Sequence, residues 1–300
     1  ADALLVSVQN GDGGEFSHWV SGRDGRFVQV TRWEDGVDFA AFGPDGALYL
    51  VSEKNAPRRQ ILKLAPGVTD LARAVTIVPQ GSDAIPITFF NEDPLAFTSN
   101  RMYVRYMAGG PSRLQAFELD GKPAGEVPLP GVAAVNEFEA VGDDLVYRVE
   151  TYLEPARFHR LSGGRSTPTG LVVTSPVKFD DIEVVRVFAT SKDGTRVPVN
   201  IARRKGVRLD GNNPTLLYGY GGYGINQTPA FLGGPRRVWF DGGGVYAVAN
   251  IRGGGEYGEE WHRNGMLTRK QNVFDDFIAA AEVLVKKKCT NQAPLTIRAV

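Results

Sequence analysis

The chain has 300 residues, with 34 Lys plus Arg against 34 Asp plus Glu, so its formal charge is zero and it lacks the basic excess of a nucleic-acid-binding surface. At 42% hydrophobic and 23% charged it has an ordinary globular composition, and its apolar stretches have the length of strands, too short to span a bilayer. A single cysteine, Cys289, excludes an intrachain disulfide. The opening Ala1-Asp2 carries no Met, basic n-region or apolar h-region, which suggests a removed leader or an internal piece of a longer protein.

Residues 1–178 read as short strands separated by turn signals, without a long helical period. Three stretches look alike: Gly46–Val51 before Pro57–Leu64, Arg101–Tyr106 before Pro111–Phe117, and Asp144–Val149 before Pro155–Leu161. Each is strand, connector, Pro-x-Arg, strand, and the Pro-x-Arg copies start at 57, 111 and 155. Such spacing, with several strands per unit, suggests about three blades of a β-propeller, fewer than a closed ring needs. A meander or sandwich with accidental similarity is the alternative. Asp-Gly pairs at 24–25, 45–46 and 120–121 are expected to form hairpin turns.

From about residue 179 the pattern changes, and 14 of the 36 glycines fall between Gly211 and Gly258. Asp181–Phe188 and Thr195–Ile201 read as two strands turning at Asp193-Gly194, with Pro198 suggesting an edge position for the second. Thr215–Tyr218 is a short strand that runs into the loop Gly219–Gly224. A helix is expected over Pro235–Asp241, closed by Gly242. Val245–Ile251 reads as a parallel strand buried on both faces. A further helix has Val273, Phe274, Phe277, Ile278, Ala281, Leu284 and Val285 on one face, Asn272 as cap, Asp275 and Asp276 in its first turn and Lys286–Lys288 in its last. Leu295–Val300 is a final strand. The string of hairpin, strand, Gly-rich loop, helix, strand, helix, strand is the opening order of an α/β-hydrolase, in which the fifth strand leads to a Gly-x-Ser-x-Gly elbow.

No Gly-x-Ser-x-Gly occurs, and no serine follows Ser191. The three histidines, His18, His159 and His262, all precede the point where the hydrolase order places its triad histidine. Scattered histidines and one cysteine give no metal-ligand spacing. Gly253-Gly254-Gly255 lacks the spacing of a nucleotide-binding loop. The loop Gly219–Gly224 is the informative stretch: glycines let backbone approach a ligand, and the Tyr220 hydroxyl is a candidate donor to a developing oxyanion. A tight turn with packed aromatics reads the same residues equally well.

TLLYGYGGYG at Thr215–Gly224, GGVYAVANIRGGGEYGEEW at Gly243–Trp261 and KQNVFDDFIAAA at Lys270–Ala281 together resemble the hydrolase domain of the prolyl oligopeptidase family. SKDGTRVPVNIARR at Ser191–Arg204 is similar to the hairpin that opens that domain, and the first 178 residues fit the later blades of its propeller. The resemblance implies a partial propeller over 1–178 and the N-terminal part of an α/β-hydrolase over 179–300. It implies a serine endopeptidase that cleaves short peptides after proline by a Ser-Asp-His triad, through an acyl-enzyme. No cofactor, metal, nucleic acid or membrane is expected, and the complete enzyme is expected to be a monomer, cytoplasmic rather than periplasmic. By motif match Tyr220 supplies an oxyanion-hole hydroxyl. Tyr223 matches a substrate-pocket aromatic that is usually Phe, so its hydroxyl is a departure. Ile297 is followed by Arg298-Ala299-Val300 where the family continues into its serine elbow, so the triad is expected beyond these residues and the chain alone to be inactive. A non-catalytic propeller-containing binding protein and a sibling oligopeptidase of other specificity are the rival readings.

Overall fold

The computed structural model describes residues 3–11, 14–87 and 93–299. Strands β1 (Leu4–Gln9), β2 (Phe16–Ser21) and β3 (Phe27–Thr31) form an antiparallel sheet in sequence order. Three four-stranded antiparallel sheets follow. The first holds β4 (Val37–Phe42), β5 (Leu48–Ser52), β6 (Gln60–Leu64) and β7 (Val75–Val78). The next holds β8 (Leu95–Phe97), β9 (Arg101–Met107), β10 (Ser112–Glu118) and β11 (Pro123–Val127). The last holds β12 (Ala133–Val141), β13 (Asp144–Thr151), β14 (Arg157–Ser162) and β15 (Arg165–Val172). Each Pro-x-Arg repeat thus lies at the entry to the third strand of a four-stranded sheet. The Asp-Gly pairs occupy the turns before β3, β5 and β11, where Gly25, Gly46 and Gly121 have positive φ.

The sheets stack face to face, because alternate residues of one strand point to opposite neighbours. On β5, Leu48 and Leu50 pack with Val30 and Val37, while Tyr49 and Val51 pack with Met102 and Val104 of β9. Tyr103 of β9 points the other way, to Ala133, Val135 and Tyr147. A sheet buried on both faces by its neighbours is the arrangement of propeller blades.

The remaining strands make one mixed sheet. They are β16 (Ile182–Thr190), β17 (Arg196–Arg204), β18 (Thr215–Gly219), β19 (Val245–Ala249) and β20 (Leu295–Ala299), in the spatial order β16-β17-β19-β18-β20. The first two pairings are antiparallel, whereas β18 runs parallel to both β19 and β20. Helix α1 (Gly233–Asp241) seals one face through Phe240 against Tyr246 and Val248. Helix α3 (Gln271–Lys286) seals the other through Ala280 and Leu284 against Val199, Ala247 and Ala249. A short α2 (Glu259–Arg263) lies between them in sequence. The architecture is a set of propeller blades followed by the opening of an α/β-hydrolase sheet. Among the described residues no helix is long and apolar enough to cross a membrane.

Three local expectations need correction. Pro198 does not mark an edge: β17 lies between β16 and β19. The Pro198 carbonyl still accepts from the Asn250 N–H at 3.0 Å, just past the end of β19, so the proline costs the sheet one donor at the end of that pairing. Asn272 does not cap α3, which starts one residue earlier, and its amide donates instead to the carbonyl of Asn264. The buried face of α3 is Val273, Asp276, Ala279, Ala280 and Leu284, leaving Phe274, Ile278 and Val285 exposed. Gly242 caps α1 as expected, its N–H donating to the Val238 carbonyl at 3.2 Å, and Gly243 takes the left-handed turn after it. Of the final expected strand, Val300 lies outside the described residues.

Candidate active site

The loop Gly219–Gly224 leaves the C-terminal end of β18, an inner strand, where open α/β sheets place ligands. Packing forces the glycines. A Cβ on Gly219 would lie 2.8 Å from the Phe277 ring, and one on Gly221 2.6 Å from Val273 of α3. Gly221 also has φ +66°, and its carbonyl accepts from Lys270 Nζ at 2.7 Å. The second glycine run, after β19, stacks on the first. The Gly224 N–H donates to the Gly253 carbonyl at 2.9 Å, and a Cβ on Gly253 would meet the Gly221 carbonyl at 2.3 Å.

Arg252 anchors this stack. Its guanidinium is buried and donates to Asp276 of α3 and to Asp193 at the hairpin turn between β16 and β17. The Arg252 contact holds Asp193 down at about 2. The sequence gives Asp276 to the helix dipole, yet it is a fully buried ion-pair partner.

Tyr223 stands out of the loop with φ +55° and is 87% exposed. It lines a cavity of about 520 Å³ between the loop and the stacked sheets. Phe16, Trp33, Met107 and Val135 supply apolar wall from the sheet side. Tyr220, on the same loop, is half-buried and does not line the cavity; its ring lies beside Gly222. The loop therefore carries both predicted tyrosines, but only Tyr223 faces the shared space.

A run of ion pairs crosses the cavity wall from the sheets to α2. Asp38 takes Arg59 Nε at 2.6 Å, Glu53 lies 3.9 Å from Arg59 and 3.5 Å from Arg263, and Arg263 reaches Glu259 at 2.8 Å. Burial pushes Asp38 and Glu53 up despite these cations. Glu259 also contacts His262 Nδ1 at 3.3 Å; burial opposes its charge, but His262 and Arg263 outweigh burial and hold it below its ordinary value. His262 thus packs beside Gly224 in the cavity wall, with no serine partner. Main chain also joins the two parts: the Glu259 N–H donates to the Pro57 carbonyl at 2.8 Å, and a Cβ on Gly258 would lie 2.2 Å from that oxygen.

Below the loop sits a polar cluster that sequence reading missed. Glu256 and Asn250 are buried, and burial pushes Glu256 up to about 7. The available signal was position, since both lie just past the C-terminal end of β19. Cys289 is buried and its thiol is pushed up, as suits a packing residue. His159 stacks on Tyr147 at 5.6 Å between ring centroids, and His18 is buried within β2. Among the described residues no group of three or more His, Cys, Asp or Glu is placed to hold a metal ion.

Comparison with known proteins gives consistent matches. Residues 2–169 match the family description "Prolyl oligopeptidase, N-terminal beta-propeller domain", and residues 235–298 match "Prolyl oligopeptidase family". The prolyl endopeptidase of Elizabethkingia meningoseptica is 34% identical over 268 residues, 88% of this chain and 36% of that protein. The dual function macrocyclase-peptidase POPB of Galerina marginata is 48% identical over 111 residues, 36% of this chain and 15% of its own. A solved structure from work on two prolyl endopeptidases superposes with a TM-score of 0.84 at 34% identity, covering 99% of this chain and 43% of that one. The Galerina marginata prolyl oligopeptidase B, solved with a 25mer macrocyclization substrate, shares the fold at TM-score 0.82 and 23% identity, covering 99% of this chain and 42% of its own. The chain spans 36% of the length of the first two curated relatives it matches.

Proposed function

Since the chain belongs to the prolyl oligopeptidase family, we propose that the activity it serves is that of a serine endopeptidase cleaving short peptides after proline through an acyl-enzyme. The observation that carries this reading is the glycine loop at the end of β18, with Tyr223 in the wall of a cavity shared with the stacked sheets. In this reading residues 1–178 are the propeller part and 179–300 the start of the hydrolase. Tyr220 donates its hydroxyl to the carbonyl oxygen as negative charge develops there, and Tyr223 contacts the substrate. Residues 1–300 contain no nucleophile elbow, so the reading assigns these two tyrosines and no triad member. The cavity, rimmed by sheets on one side, favours short peptides over folded proteins. The enzyme is further read as a cytoplasmic monomer, which cell fractionation and sedimentation check.

The test uses the full-length gene product with matched short fluorogenic peptides carrying proline or arginine at the cleaved bond. Cleavage after proline, with covalent labelling by a fluorophosphonate, is the expected result. Cleavage after arginine instead makes it a sibling oligopeptidase. No turnover and no labelling make it a binding protein.

A further inference from the structure

Gln227, four residues after Tyr223, has both ends of its backbone held by buried side chains. Its N–H donates to Glu256 Oε1 at 2.8 Å, and its carbonyl accepts from Asn250 Nδ2 at 2.7 Å. The two side chains brace one another, since Asn250 Nδ2 also donates to Glu256 Oε1 at 3.2 Å. Asn250 is 0% exposed and Glu256 1%. Asn250 is fixed from two further directions. Its Oδ1 accepts from Asn200 Nδ2 of β17 at 3.1 Å. Against the same oxygen lies Gly110, where φ is +126° and a Cβ would come within 2.8 Å. Arg186 Nη2 in turn holds the carbonyls of Ala108 and Gly109 at 2.5 and 2.9 Å.

This is a costly way to fill space. Glu256 Oε2 and Asn200 Oδ1 are buried without a hydrogen-bond partner, and apolar residues of equal size would pack there at less cost. What only a polar pair provides is a grip on one residue at both its backbone donor and its backbone acceptor. That grip acts on the segment just beyond Tyr223, adding a fixed point after the bonds from the Gly224 N–H to Gly253 and from the Ile225 N–H to Gly222, while the Tyr223 ring itself stands exposed on a left-handed residue.

We propose that Asn250 and Glu256 are positioning residues, forming a bracket that fixes the Gln227 backbone and so sets where Tyr223 stands in the cavity. The bracket rests on the reading of Tyr223 as a substrate contact. Neither side chain touches substrate; both act through the loop. Burial keeps Glu256 largely protonated below neutral pH, and a neutral carboxyl still presents Oε1 to Gln227.

The test uses the full-length protein and two readouts, hydrogen exchange over residues 223–228 and steady-state kinetics on a proline peptide. Glu256→Met fills the space without the acceptor, Asn250→Leu removes the other half of the bracket, and Glu256→Gln keeps an amide oxygen at Oε1. In either disrupting variant, exchange over 223–228 rises about tenfold, the scale of one lost hydrogen bond, while β4–β7 stay protected. KM rises about as much with kcat within threefold, because the loss falls on placing the substrate. Glu256→Gln stays near the parent in both. Unchanged exchange over 223–228 in a folded Glu256→Met or Asn250→Leu protein overturns the bracket. A parent without prolyl activity defeats the functional reading, while the exchange result still decides the bracket.

Discussion

Asp276 accepts from Arg252 three times: from its backbone N–H at 3.0 Å, from Nε at 2.9 Å and from Nη2 at 2.6 Å. One buried carboxylate therefore fixes both the side chain that anchors the glycine stack and the peptide that begins it. Removing Asp276 takes three hydrogen bonds from Arg252 and leaves its buried guanidinium only the half-exposed Asp193 as counter-ion, and breaking a buried pair costs about 3–5 kcal/mol. Asp276→Ala should lower the thermal midpoint by many degrees. The double replacement Asp276→Leu with Arg252→Met should recover part of that loss. Scanning calorimetry on both decides it, and a single variant as stable as the parent refutes the anchoring role.

Tyr220→Phe should lower kcat about 10²–10³-fold, the usual loss for one oxyanion donor, and leave KM near the parent. Phe keeps the ring beside Gly222, so the melting curve should not move. A kcat within threefold of the parent removes Tyr220 from the reaction.

Glu256→Gln should stabilise the protein at pH 8 and make little difference at pH 5. Burial raises the folded carboxyl to about 7, above its unfolded value. The folded state then binds more protons than the unfolded one between those values, so stability falls as pH rises through that window. The neutral amide escapes a penalty on the order of 3 kcal/mol above pH 7. Thermal shifts at the two pH values measure it; a gap that widens toward acid contradicts the assignment.

His18 should work in the opposite sense. Its ring is buried, with Nδ1 2.6 Å from Thr31 Oγ1 and Nε2 without a partner, and burial lowers its pKa to about 4. The unfolded state takes the proton first, so the stability due to a neutral His18 is complete above about pH 6.5 and is lost as pH falls toward 4. His18→Gln should flatten the acid limb of the stability profile. An acid limb as steep as the parent's places the cause elsewhere.

The succession of elements after residue 179 was legible because its signals are local. Asp193-Gly194 makes a turn, Val245–Ala249 is apolar on both faces, and a glycine run follows each of β18 and β19. The stacked sheets were legible through a repeated Pro-x-Arg connector. What failed depended on partners distant in sequence. Asp276 sits where a first-turn acid suits the dipole, and its real partner is Arg252, 24 residues earlier. Periodicity marks an apolar stripe on α3 but not which side meets the sheet, so Phe274 and Ile278 were assigned inward. The glycine loop marked Tyr220 as a candidate but left packing equally open, and only the resemblance decided between these readings and gave Tyr223 a role. Asn250 and Glu256 had only their position past β19 to mark them.

The hydrogen bond from Glu259 to the Pro57 carbonyl has a bearing on building hybrids from relatives. It uses main-chain atoms on both sides and asks of the sequence only that Gly258 stay free of a Cβ. A chimera that exchanges residues 1–178 for those of a relative should therefore keep this seam. The nearby Glu53–Arg263 pair depends on two side chains and would be matched only by chance. Grafts across this junction should fold in most pairings that retain the glycine, and should differ chiefly in how tightly the cavity's ionic rim closes.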